Sequence, residues 1–234
     1  KELKEGRKRR PLRIYYKDEL GRLTESFNEM TDLITSQRDK LNKYSRELEE
    51  SYVSTVKVLA AAIDARDHYT LGHSTRVAQL SVKLGREIGL SKKELEELEI
   101  ACLFHDIGKI KIPDSILLKR KRLTPSELKE MMRHPEYGAG ILSKAPSLIK
   151  FIPGVKHHHE CFDGTGYPSR LKGDKIPLPA AIISLSDFYD AVTSDRPYRY
   201  AFLEEEALKT MKNLSKKRFD PYLIEIFLGL LKKK

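Results

Sequence analysis

The feature that most restricts this chain is a stripe of apolar residues spaced alternately four and three apart: Leu23, Phe27, Met30, Ile34, then Leu41, Tyr44 and Leu48. Such spacing lines one face of a long α-helix and fits no strand, whose side chains alternate with period two. Gln37 and Ser51 interrupt the seam. A lone helix this rich in charge gains little by persisting in water, so the stripe is expected to bury itself against its copy in a second chain, as a parallel homodimer. The competing arrangement packs the stripe on the chain's own core.

Beyond Tyr52 the pattern is a run of amphipathic helices without a convincing alternating strand, the clearest being Ser74 to Ile88 with Val77, Leu80, Leu84 and Ile88 on one face. Ser91 with Glu94, and Thr124 with Pro125 and Glu127, read as capping boxes, and Asp220-Pro221 opens the last helix. Gly108 follows the helix holding Glu94 to Phe104 and is expected to help end it. The fold class is all-α, a helical bundle preceded by a long coiled-coil helix.

The balance of 44 basic against 34 acidic side chains gives +10. Much of that excess lies in Lys1 to Arg13 and Lys232 to Lys234, as solvated ends, so a nucleic-acid polymer is not expected as a partner. Cys102 and Cys161 are too few for a disulfide framework and suit a reducing, cytoplasmic setting. The longest apolar stretch, Tyr222 to Leu231, contains Glu225 and falls short of the ~20 residues that span a bilayer.

Histidine use carries the chemistry. The seven are His68, His73, His105, His134, His157, His158 and His159. One buried histidine alone is more often a satisfied core residue than a ligand. Two adjacent His-Asp or His-His pairs, with Asp187 on a further helix, are harder to explain that way. Adjacent helical residues point about 100° apart, so His105 and Asp106 can both ligate only with two ions, or one close-bound ion, near that helix end. Imidazoles mixed with carboxylates suit Fe, Mn or Zn rather than Ca or Mg.

Motifs through most of the chain, from about Val53 to Leu231, resemble the HD-GYP family: His105-Asp106-Ile107-Gly108-Lys109, His158-His159 continuing to Gly164-Thr165-Gly166-Tyr167-Pro168, Asp187 to Ala191, and Asp195-Arg196-Pro197-Tyr198-Arg199. Upstream, Asp18 to Leu23 followed by Ser26 to Met30, with Gly6 and Pro11 to Ile14, resemble the connector and second helix of a HAMP signal-transmitting domain. The expected organisation is a partial HAMP and coiled-coil helix over residues 1–51 and an HD-GYP domain over 52–234. Upstream sensor and membrane segments are expected in a longer protein.

The resemblance implies that His73, His105, Asp106 and Asp187 hold one divalent transition metal and Asp106, His134, His158 and His159 a second, with Asp106 bridging. It implies hydrolysis of cyclic di-GMP by a metal-bridging hydroxide to linear pGpG, with a possible slower cut to GMP. Lys109 would meet the scissile phosphate. Gly166, Tyr167 and Pro168, with Asp190, Arg196 and Arg199, would border the nucleotide. Some family members hold a third metal through a glutamate where this chain has Tyr69, so two ions are expected, and His68 and His157 are left as bystanders. The glycines of the loop are expected to supply positive φ. Other readings stay open: another HD-superfamily substrate, or a sensor that binds cyclic di-GMP without turnover. Gln37 and Ser51 would leave the seam marginal enough to switch between two states.

Overall fold

A computed structural model describes residues 11–15, 17–66, 72–194 and 201–232. It divides into one unit over Lys1–Ser54 and a second over Thr55–Lys234, with helix α1 (Glu19–Arg66) continuous through the division. Among the described residues every regular element is helical, and the only extended pairing is an isolated bridge between Ser215 and Phe219.

In the first unit, Asp18 Oδ1 caps the start of α1 by accepting from the amides of Leu20 (3.1 Å) and Gly21 (3.2 Å). Asn28 pairs with the connector, its Oδ1 accepting from Leu12 N–H at 2.8 Å and its Nδ2 donating to Leu12 carbonyl at 2.9 Å. The heptad residues Leu23, Met30, Ile34, Leu41, Tyr44 and Leu48 all face solvent.

The second unit holds the core. Helices α2 (His73–Glu87) and α3 (Lys92–Phe104) lead into a 3₁₀ turn, Ile107–Lys111. Three short helices come next, α4 (Asp114–Leu117), α5 (Pro125–Met131) and α6 (His134–Leu142). The chain then runs through α7 (Ile152–His157), α8 (Leu178–Thr193), α9 (Glu204–Asn213) and α10 (Pro221–Lys232). Val77, Leu84, Leu103, Phe151, Ile183, Leu185, Met211 and Phe227 are buried together. Each contributes on the order of 1.5–3 kcal/mol by leaving water. Among the described residues no helix is long and apolar enough to cross a membrane.

The predicted caps are present. Ser91 Oγ accepts from Glu94 N–H while Glu94 accepts from Ser91 N–H, and Thr124 with Glu127 repeats the exchange. Asp220 accepts from the amides of Tyr222 and Leu223.

Gly108 does something other than ending α3. That helix already stops at Phe104, and Gly108 sits inside the 3₁₀ turn. A Cβ there would fall 1.8 Å from His134 carbonyl oxygen and 2.5 Å from Gly138 nitrogen. Its role is close approach: only hydrogen on that Cα lets the turn holding Asp106 and Lys109 lie against α6.

Candidate metal centre

The site is built at helix ends. His73 opens α2, His105 and Asp106 link α3 to the 3₁₀ turn, and His134 opens α6. His158 and His159 follow α7, and Asp187 and Asp190 lie one turn apart on α8, on one face. The fold brings all seven proposed ligands together. One group gathers His73, His105 and Asp106, and a second His134, His158 and His159, each with donor atoms within 4.8 Å of one another. Asp187 Oδ1 lies 3.3 Å from His73 Nε2. Asp106 stands between the groups, Oδ2 3.4 Å from His105 Nε2 and Oδ1 3.3 Å from His134 Nε2.

Which nitrogens are free follows from their partners. A carbonyl oxygen can only accept, so the ring nitrogen beside it carries the proton. His105 Nδ1 donates to Cys102 carbonyl (2.6 Å), His134 Nδ1 to Met131 carbonyl (2.9 Å) and His158 Nδ1 to Val155 carbonyl (2.7 Å). In a neutral ring each Nε2 then presents a lone pair. His134 Nε2 and His158 Nε2 face each other at 3.3 Å, and His105 Nε2 is buried without a hydrogen-bond partner. Burial, and the neighbouring imidazoles, push His158 well below the ordinary histidine range; burial also lowers His134, outweighing Asp106. Lone pairs converging in a buried site repel unless a cation lies among them, so the donor set fits divalent metal ions.

His73 is held differently. Its Nδ1 meets Asp190 Oδ2 at 2.7 Å while Nε2 faces Asp187. Burial would lower it, but hydrogen bonds to Asp187 and Asp190 prevail and lift it to about 9. A ring set between two carboxylates favours positive charge, from a proton or from a metal. Burial pushes Asp106 up, yet the charge of Lys109 foremost holds it well below the usual carboxylate range. Lys109 Nζ lies 2.7 Å from Asp106 Oδ2.

The Gly166-Tyr167-Pro168 loop folds back on the tandem histidines. Tyr167 N–H donates to His159 carbonyl (3.2 Å), and its ring lies 4.9 Å from the His159 ring. Of the loop's glycines Gly164 has positive φ, +85°. Gly166 serves close approach instead, since a Cβ there would fall 2.2 Å from Cys161 nitrogen. Arg196, Arg199, His68 and Tyr69 lie outside the described residues.

Asp190, expected at the nucleotide, is 4% exposed and spends both oxygens on His73 and on Arg76, whose Nε donates at 2.6 Å. Its spacing three residues after Asp187 was the available signal, because that places both carboxylates on one helix face. Two organising residues escaped the sequence reading. Glu160, buried, accepts from the amides of Ser169 (2.7 Å) and Leu171 (3.0 Å) and lies 3.3 Å from His157 Nδ1, fixing the loop's exit. Arg218 lies 4.8 Å over the Phe188 ring, and its carbonyl accepts from Phe162 N–H. No local pattern marks either.

An all-α bundle that turns five imidazoles and two carboxylates toward one another defines the class: a histidine–carboxylate protein suited to a pair of divalent cations. A family model described as HD domain matches residues 57–223. The chain belongs to the HD-domain family, in its HD-GYP group. It is 38% identical over 192 residues to a cyclic di-GMP phosphodiesterase of Thermotoga maritima, covering 81% of this chain and 52% of that protein. A 3'3'-cGAMP-specific phosphodiesterase of Vibrio cholerae is 35% identical over 184 residues, covering 78% of this chain and 35% of its own. The chain thus spans about half, or less, of the length of these relatives. Among solved structures, a cyclic GMP-AMP-specific phosphodiesterase of V. cholerae shares the fold, with a TM-score of 0.60 at 20% identity over 76% of this chain and 48% of that one.

Proposed function

We propose that this chain is a metal-dependent phosphodiesterase that opens cyclic di-GMP to linear pGpG. The observation that carries the reading is the pair of lone-pair clusters on either side of Asp106, with Lys109 bonded to that carboxylate. His73, His105, Asp106 and Asp187 would hold one ion, and Asp106, His134, His158 and His159 the other. Such a pair, when bound, supplies Lewis acidity for water and for the phosphoryl oxygens.

The remaining work falls to the chain's own side chains. Lys109 offers an ammonium beside the bridging carboxylate and is assigned to the scissile phosphate. Tyr167, against His159, is assigned to a nucleobase, Gly166 and Pro168 to the loop that carries it, and Arg196 and Arg199 to phosphate and guanine contacts. Arg218, which makes cation–π contacts without an ion pair among the described residues, is a further cation for the nucleotide. Asp190 is reassigned from the substrate to orienting His73, since both of its oxygens are already engaged. The resemblance favours iron or manganese over zinc.

Named relatives of comparable identity act on 3'3'-cGAMP, so preference among cyclic dinucleotides is part of the test. Protein purified without oxygen is assayed for metal and incubated with cyclic di-GMP, 3'3'-cGAMP and cyclic di-AMP, with products separated by chromatography. About two transition metals per chain and pGpG formation support the proposal. Binding without product would make the domain a sensor.

The exposed heptad stripe supports a parallel homodimer through α1, and the Leu12–Asn28 pairing supports a HAMP connector lying on its helix. We assign the domain to the cytoplasmic side of a longer, membrane-anchored signalling protein.

A further inference from the structure

Helix α1 ends in a two-armed contact that the ligand set does not explain. Arg66, its last residue, sends its guanidinium into the C-terminal end of the 3₁₀ turn. Nη1 donates to the carbonyls of Lys109 (2.9 Å) and Ile110 (2.8 Å), and Nη2 to the carbonyl of Ile112 (2.9 Å) and to Asp114 Oδ1 (2.7 Å). The Lys109 carbonyl also accepts from Ile112 N–H (3.0 Å), and a cation at this end meets the negative pole of the turn's dipole.

Two residues earlier Asp64, 3% exposed, reaches the first turn of α2. It accepts from Ser74 Oγ at 2.7 Å and Ser74 N–H at 3.2 Å, directly after His73. A carboxylate at that end complements the positive pole of α2. Val56, Ala60 and Asp64 recur every four residues and are all buried, so the packed face of α1 anchors the Asp64 arm, while Arg66, two residues on, leaves the helix on another side.

The His73 side and the Asp106–Lys109 side of the centre belong to different elements. Asp64 and Arg66 hold one of each, and stand about 3 Å apart along a single helical turn. We infer that Asp64 and Arg66 are positioning residues that set the spacing between His73 and the Asp106–Lys109 turn. They act through backbone and Ser74, and touch neither metal nor substrate. The inference rests on the reading that the clustered residues hold metal ions. Arginine is required because its planar fork serves four acceptors at once, whereas a lysine ammonium is a single point.

The test uses the whole chain with Arg66→Lys, Asp64→Asn and, as a comparison elsewhere on α1, Lys57→Ala, which removes only an exposed pair with Glu99. Cobalt(II) is loaded into each, its visible d–d spectrum recorded, and its retention measured against a chelator. The first two variants should hold cobalt about tenfold or more weakly, as loss of ligand-orienting contacts does, with an altered spectrum. Their kcat should fall by a similar factor while KM stays within about twofold. Lys57→Ala should match the parent. Should Arg66→Lys fail to fold, Asp64→Asn carries the same test, since it keeps the side chain's size.

Parental cobalt affinity and spectrum in both variants would overturn the inference whatever the activity. Cobalt binding by the parent without hydrolysis of cyclic di-GMP would overturn the phosphodiesterase reading instead, and the spectra would still decide the role of Asp64 and Arg66.

Discussion

Replacing Gly108 with alanine tests how the bridging carboxylate is positioned. The added Cβ would lie 1.8 Å from the His134 carbonyl oxygen and 2.5 Å from the Gly138 amide nitrogen, both backbone atoms of α6 that no rotamer change can move aside. Ordinary contact begins at 3.4 Å, so the turn and α6 must part by about 1.6 Å. Overpacking with backbone displacement costs ~1–3 kcal/mol, and a clash this close belongs at the upper end. At about 2–4 °C per kcal/mol for a unit of this size, Tm should fall by about 6–12 °C. The same movement separates His134 Nε2 from Asp106 Oδ1, now 3.3 Å apart, at a site where ligand distances are held to about 0.2 Å. Metal content should therefore drop below two ions per chain even at temperatures where the protein is folded. Calorimetry and elemental analysis read the two effects. Gly140→Ala, on the same helix with open space around its Cα, should instead raise Tm slightly. A Gly108→Ala protein that keeps two ions and melts within 2 °C of the parent, on the scale of ~0.5–1 kcal/mol, would refute the close-approach reasoning.

Other consequences can be checked separately. Asp190→Asn removes the anionic partner of His73 Nδ1, leaving Asp187 at Nε2, and should weaken metal retention by ~10–100-fold in chelator competition; parental retention would return Asp190 to the substrate. Leu41→Glu with Leu48→Glu places charge in the exposed stripe and should convert a dimer to a monomer in light scattering, while a dimer that survives would locate the interface elsewhere. Burial pushes the Cys102 thiol up to about 12. The reactive thiolate is thus scarce at pH 8 in the folded chain, and iodoacetamide should label Cys102 at least ~100-fold faster in urea than natively. Equal rates would place that thiol in solvent.

The elements legible in the sequence are those written in local periods. Ser91, Thr124 and Asp220 announce helix starts because a capping side chain and the amides it serves lie within three residues. Helix α2 shows itself because Val77 and Leu84 fall on one face. The histidines at 105, 158 and 159 stand out through their motifs, whereas His134 sits in none of them and is reached only through the family resemblance. What stayed hidden depends on contacts between distant segments. Asp190 meets His73 across 117 residues, and Arg66 meets the Lys109 carbonyl across 43. Gly108 shows the same limit in another way: local rules read it as a helix stop, while its requirement comes from α6, which is remote in sequence.

A division of labour among the proposed ligands follows. His105, His134 and His158 each donate Nδ1–H to the carbonyl three residues earlier, so the turn that carries the ring also sets its orientation and exposes Nε2. Those three donors are fixed wherever their backbone is fixed. His73 has no such local tether: its ring is aimed by Asp190, and its helix start is held by Asp64. Asp106 depends in turn on Gly108 for approach and on the Arg66-capped turn for direction. The locally tethered histidines include two of the three in the second cluster, whereas the first leans on tertiary contacts through His73. Perturbing α8 or the end of α1 should therefore loosen an ion held at His73 and Asp187 before one held at His134 and His158. Sequential loss in a chelator titration of the Asp190→Asn protein, with the His134 site emptied last, is the expected signature; simultaneous loss would mean that Asp106 couples the two ions more tightly than the separate tethers distinguish them.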